Sequence, residues 1–154
     1  MDISPSPSRQ RFLVVLDEGI ASDSLRPALA AAGAASHDDI RVVAPALTSR
    51  LREWFGDIDQ GRANAAARLD QCLDVLHREG ISATGTVGDT SPRQAIADQL
   101  RIAPADTVVM LHPVSDLVRR RDVDASIPVT HVSIAPAGNV VALFTPEERL
   151  GYAA

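Results

Sequence analysis

Apolar positions along the chain fall into two patterns. Short continuous runs at Arg11 to Gly19 (RFLVVLDEG), Ile40 to Ala44 (IRVVA), Thr107 to Asp116 (TVVMLHPVSD) and Ile127 to Ile134 (IPVTHVSI) end in polar or turn-forming residues. Runs of this length read as strands buried on both faces of a parallel sheet. A further stretch alternates, with Ile81, Ala83, Gly85 and Val87 on one face and Ser82, Thr84 and Thr86 on the other, which predicts an edge strand with one wetter side.

Between the strands the period changes to that of a helix. Leu69, Cys72, Leu73 and Leu76 stand at i, i+3, i+4 and i+7, Asp74 and Arg78 are spaced to pair on the outer face, and Gly80 falls where a C-terminal cap belongs. Ser22, Asp23 and Ser24 offer cap oxygens for a helix over 24–32, with Pro27 in its first turn and Gly33 as its stop. Thr48 and Ser49 can cap a short helix carrying Leu51, Trp54 and Phe55, interrupted by Gly56. Ser91 is placed as an N-cap, Pro92 as the first helical residue and Gln94 as the partner of a capping box, for a helix that runs to about Ile102 and stops before Pro104.

Strands alternating with helices require parallel pairing through right-handed crossovers, so the predicted architecture is a doubly wound three-layer α/β/α sandwich. The tail breaks the rhythm. The turn signal at 137–139 followed by VVALF at 140–144 predicts an extra C-terminal strand, either in a hairpin or donated to a partner. The chain divides into a Pro/Ser-rich leader over 1–10 read as disordered, a single domain over 11–144 and a tail over 145–154. Its 154 residues suffice for one core that buries about 70% of the unfolded chain's surface.

Composition narrows the chemistry. Every one of the 15 basic residues is Arg, so a phosphate-loop Lys, a Schiff-base Lys and the Lys of a phosphorylation receiver are all missing. Twenty carboxylates leave a net charge of −5, which argues against a nucleic-acid footprint. One cysteine, Cys72, permits no intrachain disulfide and no thiolate metal cluster, and no apolar run approaches the length of a membrane span. These features predict a cytoplasmic protein.

In open parallel sheets, ligands sit beyond the carboxyl ends of the strands where the strand order reverses. That rule selects Asp17 and Glu18, Gly88 and Asp89, and His112 with Ser115. Asp17, Glu18 and Asp89 could gather a hard cation, but turn and cap duties account for the same carboxylates, and no metal is predicted. His112 is a candidate ligand contact or acid/base group, since an unperturbed imidazole titrates at ~6.5, with a strand-end His that hydrogen-bonds a loop as the alternative. His131, in the first half of its strand, is placed toward the opposite end of the sheet, so no zinc set forms with it. Arg119 opens an Arg run that can hold a phosphate or simply remain solvated beside Asp122 and Asp124. There is no Gly-x-Ser-x-Gly elbow, and no catalytic residue is assigned.

LVVLDEG, VGDTSPRQAI, ADTVVMLHP and IPVTHV, in that order over roughly residues 10–135, resemble the universal stress protein family. Asp17 matches the Asp that ends the family's first strand, although DEG replaces its usual turn; Gly88 and Asp89 match its Gly-Asp-Pro turn, with Pro92 displaced by two residues. The resemblance implies a five-stranded sheet in the order 3-2-1-4-5, of the adenine nucleotide alpha hydrolase-like type, and a stress-response role. Some members bind adenine nucleotide across the first and fourth strands through a glycine-rich loop. Here LHPVSDLVRRRDVDAS stands in that place, and no Gly lies between Gly88 and Gly138. The expectation is therefore a non-catalytic, stress-protein-like domain that acts through a protein partner or a small ligand and does not bind ATP tightly. The alternative is a nucleotide- or phosphate-ligand-binding protein, or an enzyme, using the same cleft. Family members commonly dimerise through the last strand, which implies a homodimer built on Val129, Val132, Val140, Val141 and Leu143.

Overall fold

A computed structural model describes residues 9–16, 20, 22–36, 38–46, 58–113, 127–135 and 140–144, with the backbone alone at 22, 58–59, 112–113 and 141–144. Six strands form one sheet: β1 (Arg11–Leu16), β2 (Asp39–Pro45), β3 (Ala83–Gly88), β4 (Thr107–Pro113), β5 (Val129–Ile134) and β6 (Val140–Phe144). Their spatial order is β3-β2-β1-β4-β5-β6, the first five parallel and β6 antiparallel to β5. Helices α1 (Leu25–Ala31), α2 (Ile58–Arg78) and α3 (Pro92–Ile102) cover both faces, giving the predicted three-layer sandwich.

The two faces are divided by the strand period of two. Phe12, Val14 and Leu16 of β1 join Ile40, Val42 and Ala44 of β2 beneath α1 and α2, while Leu13 and Val15 join Val43, Val108 and Met110 near α3. Each fully buried Val or Leu in these layers contributes about 1.5–3 kcal/mol relative to exposure. On α2 the predicted stripe is present: Leu69, Cys72 and Leu76 are buried and Leu73 is partly buried. Gly80 adopts φ +77°, and Ile81 N–H reaches Leu76 O at 2.8 Å, closing the helix with the left-handed cap that glycine tolerates.

Two local expectations are revised, and one left open between two partners is resolved. Arg78 Nε donates to the Asp74 carbonyl at 3.4 Å rather than to its carboxylate. Ser24 makes no side-chain cap, because the preceding 3-10 turn over Ser22–Ser24 already holds it at helical angles. VVALF forms a hairpin strand within its own chain, with a register shift between Ser133 and Ile134 at which Val141 is the unpaired residue. The short helix expected near 48–55 lies outside the described residues.

The amino ends of the strands are tied by polar side chains. Asp38, 4% exposed, accepts Gln10 N–H through Oδ1 at 3.0 Å and Ala35 N–H through Oδ2 at 2.8 Å, fastening the start of β1 to the loop before β2. Arg41 donates to Ala103 O at 2.8 Å and Gln99 O at 3.4 Å, placing a cation at the negative end of the α3 dipole. Arg11 and Asp106 pair through the guanidinium and the Arg11 N–H, joining β1 to the loop before β4.

Candidate functional site

The order reverses between β1 and β4, so the carboxyl edge there is the position the fold offers to a ligand. β1 ends at Leu16, paired with Leu111, and β4 continues two residues further through His112 and Pro113. His112 stands in register with Ser133 and Pro113 with Ile134. To the other side, β2 and β3 end together at the Pro45–Gly88 rung, and Ala46 N–H closes onto Gly88 O and Asp89 O.

Of the sequence-selected residues, Gly88, Asp89 and His112 are therefore set along one sheet edge. Asp17, Glu18, Ser115 and Arg119 lie outside the described residues. His131 belongs to a different level: it pairs with Met110 in the middle of the sheet, 6% exposed. It is thus central rather than at the opposite end, because β5 begins at Val129, two residues later than the apolar run suggested.

The Gly88–Asp89 turn has a clear local cause. A Cβ on Gly88 would stand 2.7 Å from Ala95 Cβ and 2.8 Å from Val43 Cγ2, so glycine is what allows α3 to descend onto the end of β3. Asp89 then works on the start of that helix, its Oδ1 accepting Ser91 N–H at 3.0 Å and Thr90 Oγ1–H at 3.3 Å. Ser91 Oγ accepts Gln94 N–H at 3.4 Å, the N-cap half of the expected capping box. The return half differs. Gln94 Nε2 donates to Asp98 Oδ1 at 2.7 Å, and the Ser91 N–H that Gln94 would have accepted is held by Asp89.

Two residues that sequence reading passed over also belong to this region of the fold. Arg68 Nη2 donates to Pro45 O at 3.2 Å, bringing a half-buried cation to the carboxyl end of β2. Its signal was present: Ala65, Leu69, Cys72 and Leu76 define the apolar stripe of α2, and position 68 falls inside it. Ser133 is fully buried, with no hydrogen-bond partner for its hydroxyl among the described residues, on the rung shared with His112.

The predicted dimer residues divide as well. Val129 and Val132 are 3% and 0% exposed, on opposite faces and packed into the chain's own core, and Val140 is partly buried against the same core as Val132. Val141 and Leu143 lie on β6. Any pairing through this end of the sheet therefore rests on the outer backbone edge of β6 and not on the Val129 and Val132 side chains.

Among the described residues no three His, Cys, Asp or Glu side chains are grouped to hold a metal ion, and no helix is long and apolar enough to cross a membrane. Comparison of the chain with protein-family models and with curated proteins returns no match. The edge is accordingly interpreted from its own chemistry: a cation at the end of β2, an occupied helix start after β3, and His112 on the strand beside the reversal.

Proposed function

We propose that the chain is a non-catalytic domain of the universal stress protein kind, a dimeric stress-response or regulatory protein that works through protein partners in the cytoplasm and does not bind ATP tightly. The observation that carries this reading is the use made of the turn after β3. Gly88 is pressed between Ala95 and Val43, and the Ser91 and Gln94 N–H groups at the start of α3 are taken by Asp89 and Ser91. A phosphate arriving there meets a carboxylate already in the anion's place.

The sequence after β4 supports the same reading. Pro113 has no N–H to offer, and the absence of Gly from 89 to 137 removes the backbone freedom with which a glycine loop approaches phosphate. β6 ends the strand order, which supports a homodimer continuing the sheet through its outer edge. Light scattering should give the mass of two chains; a monomer at all concentrations contradicts this part of the proposal.

A second reading, a phosphate- or nucleotide-ligand protein using the cleft above β1 and β4, draws support from Arg68 at the carboxyl edge. Thermal shifts across a nucleotide panel, measured on the native chain and on Asp17→Ala and His112→Ala, separate the two. Silence across the panel fits the interaction module. A shift that both substitutions reduce overturns it in favour of a ligand site.

A further inference from the structure

At the opposite, amino edge of the sheet lies a hollow of about 230 Å³ that none of the chemistry above employs. Its β2 residue, Ile40, is about 17 Å from the Pro45–Gly88 edge by the rise of a strand. Leu29, Ile40 and Ile81 supply apolar walls, and Ala30, Ala34 and Ala35 leave the space because their side chains end at Cβ. Arg26 and Glu79 stand together on its lining, paired at 3.4 Å, with Arg26 65% exposed and Glu79 only 30%.

We propose that this hollow binds a small organic amine: a compact hydrocarbon body inside, and an ammonium group on Glu79. Volume admits the first half: benzene fits an enclosed apolar cavity of about 150 Å³, and this hollow, open to solvent and walled on one side by Leu29, Ile40 and Ile81, offers about 230 Å³. Electrostatics support the second. The C-terminal ends of α1 and α2 both abut the hollow, through Ala30 and Ala34 on one side and Glu79 and Ile81 on the other. Helix C-termini carry partial negative charge that favours cations, and Glu79 adds a full one. Arg26, on the same lining, already answers that charge with a side chain that is itself 65% exposed. An exposed pair of this kind is weakly held, so an ammonium reaching Glu79 from within displaces Arg26 at little cost.

The test uses the full chain, titrated with 2-phenylethylamine and with its uncharged analogue 2-phenylethanol while amide resonances are followed by NMR. The amine should give saturable shifts at Ala30, Ala34, Ala35 and Ile81. Glu79→Gln should weaken its binding roughly tenfold, the worth of one charge-assisted contact. Arg26→Ala should tighten it roughly two- to fivefold by removing the competitor. Ala30→Leu, at an exposed helical position where leucine is well tolerated, should abolish binding by filling the space while the remaining spectrum stays native. The proposal is overturned if the amine gives no saturable shift, if the alcohol binds equally well, or if Glu79→Gln leaves the affinity unchanged.

Discussion

Gly88 and Ala95 meet so closely that a Cβ on the glycine would lie 2.7 Å from that of the alanine. The end of β3 and the first turn of α3 are in effect one joint, and the turn that carries Asp89 is shaped by packing before it is shaped by any ligand. Gly88→Ala should destabilise the fold by about 1–3 kcal/mol through overpacking. Gly85→Ala should cost less, because the nearest obstacle there is the end of the flexible Leu69 side chain. Urea midpoints of the two variants check the ranking; equal midpoints would contradict it.

Asp38 holds two backbone N–H groups from segments 25 residues apart, at Gln10 and Ala35. Replacing it with Ala leaves both without their acceptor and should cost about 2–3 kcal/mol. Amide exchange at Gln10 and Ala35 should accelerate in step with the lost stability. A variant as stable as the native chain would show that these contacts are dispensable.

Burial pushes the Cys72 thiol up to about 11, against a smaller downward pull from Arg68. The folded chain therefore keeps a proton that the unfolded chain gives up as the pH passes about 9, and stability falls with rising pH from there to about 11. Below that window the thiol contributes no pH dependence. Native Cys72 should resist a thiol reagent at neutral pH and react freely in denaturant. Rapid labelling of the native protein would contradict its place in the core.

Asp106 shows the opposite sign. The Arg11 guanidinium and backbone N–H hold its carboxyl below the usual carboxylate range, so its contribution is present at neutral pH and lost as the pH falls through that lowered value. Asp106→Asn should flatten the acid limb of the stability profile while leaving the limb above pH about 9 as it was. An unchanged acid limb would show that this exposed pair carries no stability.

Much of this architecture was legible in the sequence because single residues encode it locally. Leu69, Cys72 and Leu76 recur at the period of a helix, Ser91 and Pro92 mark the start of the next one, α3, and the runs from Phe12 and Val108 read as buried strands. Contacts decided by competition were not legible. Asp89 outcompetes Gln94 for Ser91 N–H because it stands two residues before it, a reach that the capping-box spacing does not weigh. Likewise nothing in VVALF distinguishes pairing with β5 of its own chain from pairing elsewhere; with only five residues between Ile134 and Val140, the near partner is the easier one to reach. The candidate site was legible only along its rim, at Gly88, Asp89 and His112, and Arg68 was overlooked because a charged residue within an apolar stripe reads as an interruption rather than as a reach to the sheet edge.

The proposal turns on a carboxyl edge that does not bind ATP tightly. It is tested most directly by calorimetric titration of the full chain with ATP and magnesium, accompanied by the melting temperature at saturating nucleotide. The account predicts no measurable heat of binding and an unmoved melting temperature. Ligand at 100 times Kd stabilises a folded protein by about 2.7 kcal/mol, and a rise in melting temperature of that order would contradict it.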